Sequence, residues 1–201
     1  MSGQNNGDAM KSNTAKSGIK PDSKAKAGKS SPLSAIGHAR FLLKALPVLA
    51  VVLGLSAYLG NRFHLGIDDQ RELCLPGSHR WYLIDRHDQN VWRGDLVAFR
   101  ADPRMAPWFP AGRIIVKVAT GMPGDRVQVD ESQTLINGKP VSNGLVLTEK
   151  LGKPSTDFIR EATVPGSALW ATGTHPRSFD SRYWGFVYDK QIIGRAYALP
   201  F

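Results

Sequence analysis

The stretch Arg113-Ile-Ile-Val-Lys117-Val-Ala-Thr-Gly121-Met-Pro-Gly-Asp125 places one lysine inside an apolar run and follows it with a tight turn. The aliphatic residues around Lys117 predict a mostly buried β-strand, and Met-Pro-Gly-Asp at 122–125 predicts the turn that ends it. An ammonium among aliphatic side chains loses hydration, so its pKa falls toward the range of a general base. The same pattern also fits a lysine whose long side chain reaches solvent from a half-buried strand. The strand alone leaves both interpretations open.

Charge is distributed unevenly along the chain. Its 201 residues carry a formal net charge of +9. Residues 1–44 hold eight basic and two acidic side chains, whereas the remaining residues hold 18 basic and 15 acidic ones. Most of the excess therefore lies near the N-terminus, and we expect no nucleic-acid partner for the folded part. Residues 1–38, rich in Ser, Gly, Lys and Asn, are predicted to form a disordered basic cytoplasmic tail.

An apolar segment follows the tail. Residues 41–60 are nearly all apolar, and about 20 such residues cross the hydrocarbon core of a bilayer. We predict a transmembrane helix over 39–62, with Lys44 and Tyr58 at its two interfaces. A cleaved signal peptide and a buried core helix are the alternatives. The basic region is long for the first, and the segment is apolar on all sides, which is unusual for the second.

The charges that flank this segment predict its orientation. Basic residues precede it, and the acidic pair Asp68-Asp69 follows it. Because positive flanks stay in the cytoplasm, we predict a single-pass inner-membrane protein with a cytoplasmic N-terminus. Residues 63–201 would then form a periplasmic domain.

β signals dominate that domain. Alternating runs predict strands at 81–85 and 96–99, and Asn137-Gly138 between apolar residues predicts a hairpin. Three prolines in residues 101–112 exclude a central strand or a helix there and predict a loop. No long amphipathic helix follows the apolar segment. The predicted fold class is therefore mainly β, an antiparallel β domain behind one N-terminal helix.

A lysine base needs a nucleophile. Cys74 is the only cysteine, so no intramolecular disulfide can form, and Cys74-Leu-Pro-Gly77 places its thiol just before a Pro-Gly turn. Such a turn would expose the thiol beside backbone N–H groups that could form an oxyanion hole. A lone cysteine also fits a small buried core residue. Serine hydroxyls are the other candidates, at Ser78, Ser178 and Ser181.

Four segments together resemble the successive sequence boxes of the type I signal peptidases, peptidase S26, in the family's order. They are Arg93-Gly-Asp-Leu-Val-Ala-Phe99, Lys117 through Asp125, Ile136-Asn-Gly-Lys-Pro-Val141 and Ser178-Phe-Asp-Ser-Arg-Tyr-Trp-Gly185. The resemblance runs from about residue 70 to 198. It is strongest to the TraF-type conjugative transfer peptidases, because of the short nucleophile box, the single anchor and the compact size.

The resemblance implies a dyad of a nucleophile and a lysine base, with no histidine, metal or other cofactor. Lys117 falls on the family's lysine, four residues before Gly121. Ser178 falls on the serine that helps to orient this lysine. Asp180 and Arg182 fall on an acidic and basic pair that supports the site, which also fits a plain salt bridge that braces a loop.

Three departures from the family's pattern bear on activity. Cys74 stands where the family has its nucleophilic serine, so the predicted dyad is Cys74 and Lys117, with Ser78 as the alternative nucleophile in a shifted register. Glu72 stands where the family often has a hydroxyl at the oxyanion hole. Before the last box this chain has Gly173-Thr-His-Pro-Arg177 instead of the Gly-Asp-Asn-Arg of the housekeeping enzymes, which favours the conjugative branch.

We therefore predict an anchored endopeptidase that processes leader peptides or pilin precursors in a conjugative transfer system. Its expected partners are such precursors, the inner membrane and proteins of the conjugation machinery. Substrate would bind as an added extended strand, as the resemblance implies. Trp108 and Phe109 fit either a loop that guides substrate or dips into the membrane, or a cap on the β core. A housekeeping signal peptidase and a non-catalytic pilus-assembly protein are the alternative functions.

Overall fold

The computed structural model describes residues 32–70 and 72–200. Residues 1–31 of the predicted tail lie outside this described part of the chain. The described chain divides into two units between Val48 and Leu49, inside the first helix. The helices are α1 (Pro32–Arg62), α2 (Thr148–Leu151) and α3 (Ser181–Trp184), and the strands are β1 (Phe63–Ile67), β2 (Trp81–Asp85), β3 (Leu96–Arg100), β4 (Ile114–Gly121), β5 (Arg126–Val129), β6 (Gln133–Ile136), β7 (Lys139–Asn143), β8 (Arg160–Thr163), β9 (Ala168–Thr172), β10 (Val187–Tyr188) and β11 (Ile192–Leu199).

Helix α1 contains the predicted span and begins before it. Its stretch Phe41–Arg62 has 22 residues with a mean hydropathy of 2.0, and none of it is buried against the protein. At 1.5 Å per residue this length suffices to cross a bilayer core of about 30 Å. That residues 39–62 lie in a membrane stays a prediction.

The remaining elements form two antiparallel sheets. Seven strands follow the order β1-β2-β11-β3-β4-β9-β10, and four follow the order β7-β6-β5-β8. The two helices beyond α1 have four residues each. The prediction of a mainly β, antiparallel class is thus confirmed.

One face of β4 points into the main core. Burial alternates along the strand, so that Ile115, Lys117, Ala119 and Gly121 are buried and the residues between them are half-buried. Aromatic and aliphatic side chains from β3, β5 and β9 pack on this face, among them Phe99, Val127 and Trp170. The strand thereby carries its lysine into an apolar interior.

The two predicted turns are confirmed. Asn137 and Gly138 connect β6 to β7 with φ values of 51° and 77°, the left-handed geometry that a two-residue hairpin needs. At the end of β4, the Asp125 carboxylate accepts hydrogen bonds from the Met122 N–H and from Arg93, both at 2.6 Å. That carboxylate closes the turn predicted at 122–125.

The chain continues directly from α1 into a strand that the sequence analysis did not predict. Phe63, the residue after the helix ends, begins β1, which pairs with β2. Arg62 binds Asp85 on β2 at 2.6 Å, and its carbonyl accepts the Arg86 N–H at 2.8 Å. The end of the helix is therefore fastened to the sheet with no free linker. Phe63, Leu65 and Ile67 did alternate with less apolar residues, a strand signal that the neighbouring apolar helix obscured.

Candidate active site

Lys117 is the buried cation of β4. Its side chain is 3% exposed, and its cross-strand neighbour is the fully buried Val97 on β3. Burial lowers the pKa of the Lys117 ammonium, and the charges of Cys74 and Asp180 oppose this only in part. The alternative of a lysine that reaches solvent is therefore wrong, because the neighbouring strands enclose the side chain. A lower pKa favours the neutral amine, which is the form that a general base requires.

Ser178 contacts this lysine directly. Lys117 Nζ donates a hydrogen bond of 3.0 Å to Ser178 Oγ, across 61 residues of sequence. Ser178 is fully buried, so its hydroxyl restricts where the amine can point. This contact is compatible with the orienting role that the resemblance implied for Ser178.

Asp180 and Arg182 form a fully buried ion pair. Arg182 Nε donates to Asp180 Oδ1 at 2.8 Å and Nη2 donates to Oδ2 at 2.9 Å. Arg182 also donates to the carbonyl of Ser178 at 2.8 Å, and Asp180 accepts the Gly173 N–H at 3.0 Å. The pair thus contacts the backbone at Gly173 and at Ser178, which is compatible with the supporting role that the resemblance implied.

Cys74 lies at the site but is not exposed as its Pro-Gly turn suggested. Its side chain is 6% exposed, and its thiol donates a weak hydrogen bond of 3.5 Å to the Glu72 carbonyl. The Cys74 carbonyl accepts the Thr174 N–H at 2.8 Å. The predicted turn does form at Pro76–Ser78, with Gly77 at a φ of 80°. The expectation of an exposed thiol is thus wrong, because the turn at Pro76–Ser78 does not carry the Cys74 side chain to the surface.

Two cavities meet at the pair of predicted dyad residues. The first has a volume of about 400 Å³ and the second of about 300 Å³. Four residues line both of them, namely Gln70, Cys74, Phe109 and Lys117. The structure therefore brings Cys74, Lys117 and, through its hydrogen bond, Ser178 to one place.

The other predicted residues are less fully placed. Ser78 belongs to the short helical turn after Cys74, but its side chain lies outside the described part of the chain, so its role as an alternative nucleophile stays a prediction. Ser181 does not reach Lys117, because its hydroxyl accepts the Ala171 N–H at 2.9 Å. Within residues 32–70 and 72–200, no group of three or more His, Cys, Asp or Glu side chains could hold a metal ion.

The aromatic residues of the loop at 101–112 pack inward. Phe109 is 7% exposed and its ring centroid lies 5.9 Å from that of Phe179. Trp108 is half-buried and lies edge-on to Phe179 at 4.6 Å. Of the two roles that the sequence left open, the structure favours the cap on the β core, with Phe109 also forming a wall of both cavities.

Two sets of contacts at the site were not predicted from the sequence. A Cβ at Gly173 would lie 2.2 Å from Ser178 Oγ and 2.8 Å from the Cys74 carbonyl oxygen, so only glycine fits between these residues. Glu72 binds Arg177 at 3.2 Å and lies 3.9 Å from His175. The unusual sequence at 173–177 did point to this region. Its contacts with the Cys74 segment, however, could be seen only in the folded structure.

Comparisons with known proteins found a matching family and relatives of similar sequence. The profile of the family described as "Signal peptidase, peptidase S26" matches residues 39–200. Signal peptidase I of Leptolyngbya laminosa is 30% identical over 114 residues, which cover 56% of this chain and 54% of that protein. The conjugal transfer protein TraF of Agrobacterium fabrum is 31% identical over 90 residues, which cover 44% of this chain and 48% of that protein.

One solved structure is also similar. The crystal structure of a signal peptidase I from Enterococcus faecalis aligns with a TM-score of 0.34 and 26% identity, over 54% of this chain and 97% of that one. The chain spans about half the length of the two relatives named above.

Proposed function

Because this chain belongs to the signal peptidase family, peptidase S26, we propose that it is a membrane-anchored endopeptidase that removes leader peptides through a dyad of Cys74 and Lys117. The observation that carries the proposal is the position of Lys117. Its amine is 3% exposed, donates to Ser178 Oγ at 3.0 Å and lines the two cavities that Cys74 also lines. A buried amine that lines the same cavities as a thiol is compatible with a lysine general base.

Acylation uses the neutral form of Lys117. The amine takes the proton of the Cys74 thiol while Sγ attacks the scissile carbonyl carbon, which forms the S–C bond. As the C–N bond breaks, Lys117 gives that proton to the leaving amine. The products are a thioester on Cys74 and a free new N-terminus.

Deacylation reverses the proton path. Lys117 takes a proton from a water molecule, whose oxygen attacks the thioester carbonyl, and the proton returns to the departing Cys74 sulfur. Ser178 supports both steps, because its hydroxyl fixes the direction of the Lys117 amine. A thiolate is intrinsically a better nucleophile than a neutral hydroxyl, so cysteine in the place of serine is compatible with this chemistry.

Helix α1 supplies the anchor in this proposal. Its 22-residue apolar stretch ends at Arg62, and the acidic pair Asp68-Asp69 lies beyond it. With the basic N-terminus in the cytoplasm, residues 63–201 lie in the periplasm, where leader peptides emerge from the inner membrane.

Conjugative transfer is the proposed setting. One relative is named a conjugal transfer protein, and the residues at 173–177 depart from the pattern of the housekeeping enzymes. The proposed substrates are precursors with leader peptides, pilin precursors among them. A housekeeping role is the second candidate, because other relatives are named signal peptidase I.

The test is processing of a co-expressed pilin precursor by the full-length chain. Lys117→Met and Cys74→Ala should each lower the cleavage rate about 100- to 10,000-fold, whereas Lys139→Met, a matched change at an exposed strand position, should leave it unchanged. Cys74→Ser should retain part of the activity, since the lysine can also deprotonate a hydroxyl.

Three outcomes would contradict parts of the proposal. Full processing by the Cys74→Ala variant would show that the thiol is not the nucleophile. If conjugation proceeds normally with the Lys117→Met variant, the chain is a non-catalytic assembly protein. Rescue of a strain depleted of its general signal peptidase would favour the housekeeping role.

A further inference from the structure

The two cavities that meet at Cys74 and Lys117 extend along different elements. The larger one continues from these residues along β1, β2 and the start of β4, where Leu65 and Ile84 contribute apolar side chains and Asp68 contributes a charge. The smaller one is lined by Glu72, Lys150 and Arg177 in addition to aromatic side chains. An extended peptide held at the dyad would therefore follow β1 in one direction and pass Lys150 in the other.

The charges of the smaller cavity do not cancel. Arg177 is engaged with Glu72 at 3.2 Å, and His175 lies 3.9 Å from the same carboxylate. Lys150 lies above the Trp108 ring, with Nζ 4.8 Å from the ring centroid. Among the described residues, no carboxylate lies within 4.0 Å of its ammonium. The positive charge of Lys150 is thus the one left for a ligand.

The floor of this cavity keeps Lys150 in place. Trp108 packs edge-on against Phe179 at 4.6 Å, and Phe179 follows Ser178 in the chain. A cation over an indole ring is attracted to the ring face. The Lys150 ammonium therefore contacts, through the packed rings of Trp108 and Phe179, the segment that contains Ser178.

We propose that the smaller cavity binds the residues that follow the scissile bond, and that Lys150 selects an acidic side chain among them. The inference rests on the proposed function and extends it to the mature side of the substrate. The leader lies in the membrane beside the anchor, and the larger cavity begins at His64, two residues after α1 ends. The leader therefore occupies that cavity, and the residues after the bond are left to face Lys150. The chemical class of the preferred substrate is thus a peptide with an acidic residue shortly after the cleaved bond.

The experiment uses the full-length protein in neutral detergent micelles and three synthetic peptides. They share one apolar leader with small residues before the bond and carry Glu, Gln or Lys at the second position after it. At low salt, kcat/KM should fall from the Glu to the Gln to the Lys peptide, by about two- to fivefold per step, the range of an exposed ion pair. The differences should shrink as the salt concentration rises.

Charge reversal at Lys150 should reverse the order. Lys150→Glu should prefer the Lys peptide to the Glu peptide. The matched control is Lys153→Glu, an identical charge change at an exposed residue three positions away that does not line the cavity, and it should retain the wild-type order. Equal cleavage of the three peptides by the wild type at low salt, or an unchanged order with Lys150→Glu, would overturn the inference.

A binding measurement separates this inference from the proposed function. Fluorescent peptides that contain only the residues after the bond are titrated into the Cys74→Ala variant, with and without Lys150→Glu, and followed by anisotropy. If the wild type cleaves no peptide, the proposed function fails. A Glu preference in binding that disappears with Lys150→Glu would then still support the cavity assignment, and its absence would overturn it.

Discussion

Lys117 and Ser178 meet at 3.0 Å, yet the two residues hold their positions in different ways. Lys117 stands in the middle of an eight-residue strand that is paired with β3 on one side and β9 on the other. Ser178 stands in a segment without regular structure, residues 173–180. The regular half of the site, the strand around Lys117, is thus placed by strand register. The irregular half, residues 173–180, is placed by specific side-chain contacts.

This difference shows where the site is vulnerable. Strand register depends on many backbone hydrogen bonds, so no single side chain decides where Lys117 lies. The irregular half depends on one ion pair, because Arg182 and Asp180 together bind the backbone of Gly173, Asn143 and Ser178. We therefore expect substitutions in the irregular half to destabilise the protein. In the regular half we expect the opposite, because the buried Lys117 itself lowers the stability of the fold.

The largest expected effect comes from breaking the buried ion pair. Arg182→Met leaves the Asp180 carboxylate buried without its partner, and we expect a loss of about 3–5 kcal/mol in the free energy of unfolding. The control is Arg126→Met, which removes the surface ion pair with Glu161 and should cost at most about 1 kcal/mol. Chemical denaturation in micelles measures both. Similar losses in the two variants would show that the irregular half does not depend on this pair.

The second prediction concerns the regular half and has the opposite sign. Burial lowers the pKa of Lys117 in the folded protein, so at neutral pH the unfolded chain binds the proton more readily and folding is penalised. Lys117→Met removes this penalty and should raise the free energy of unfolding at neutral pH, as measured by chemical denaturation in micelles.

The pH dependence provides the check on its cause. Wild-type stability should increase as the pH rises from neutral toward the ordinary pKa of lysine, because the unfolded state then loses its advantage in proton binding. The gap between the wild type and Lys117→Met should therefore narrow in alkaline buffer. A gap that stays constant with pH would assign the difference to packing instead of charge.

The third prediction addresses the contact between the halves. In Gly173→Ala the new methyl group would collide with Ser178 Oγ and the Cys74 carbonyl oxygen, and such overpacking costs about 1–3 kcal/mol. It should also slow peptide cleavage, because Ser178 must move away from Lys117. Gly166→Ala, where no atom lies within 4 Å of the new group, is the control, and equal behaviour of the two variants would contradict the proposed close fit.

The sequence predicted the regular half better than the irregular one, for a physical reason. Strand alternation and the turns at 122–125 and 137–138 are local signals, so the strand that carries Lys117 could be predicted, although the strand alone left open whether the lysine is buried. The Cys74 segment is held by a contact over 100 residues of sequence, from the Thr174 hydroxyl to the Cys74 carbonyl. Nothing near Cys74 in the chain encodes that contact, and the expectation of an exposed thiol failed there.

The irregular half became predictable only through resemblance to a family. Without that resemblance, Asp180 and Arg182 could not be assigned to the site, because charged residues close together in sequence usually lie at the surface. Here both are fully buried, and the Asp180 side chain also accepts the Arg182 N–H at the start of α3. The position of Lys150 in the smaller cavity was also not predicted, because its contact with Trp108 joins two segments that are distant in sequence.

The direct junction of α1 with β1 has a consequence for substrate choice. Cys74 follows Arg62 by 12 residues, and the first five of these are fixed in a strand whose helix end is tied to Asp85. If α1 spans the bilayer, the thiol is held at a set height above the lipid headgroups. The number of residues between a precursor's apolar segment and its target bond then becomes a criterion for cleavage, independent of which amino acids flank that bond.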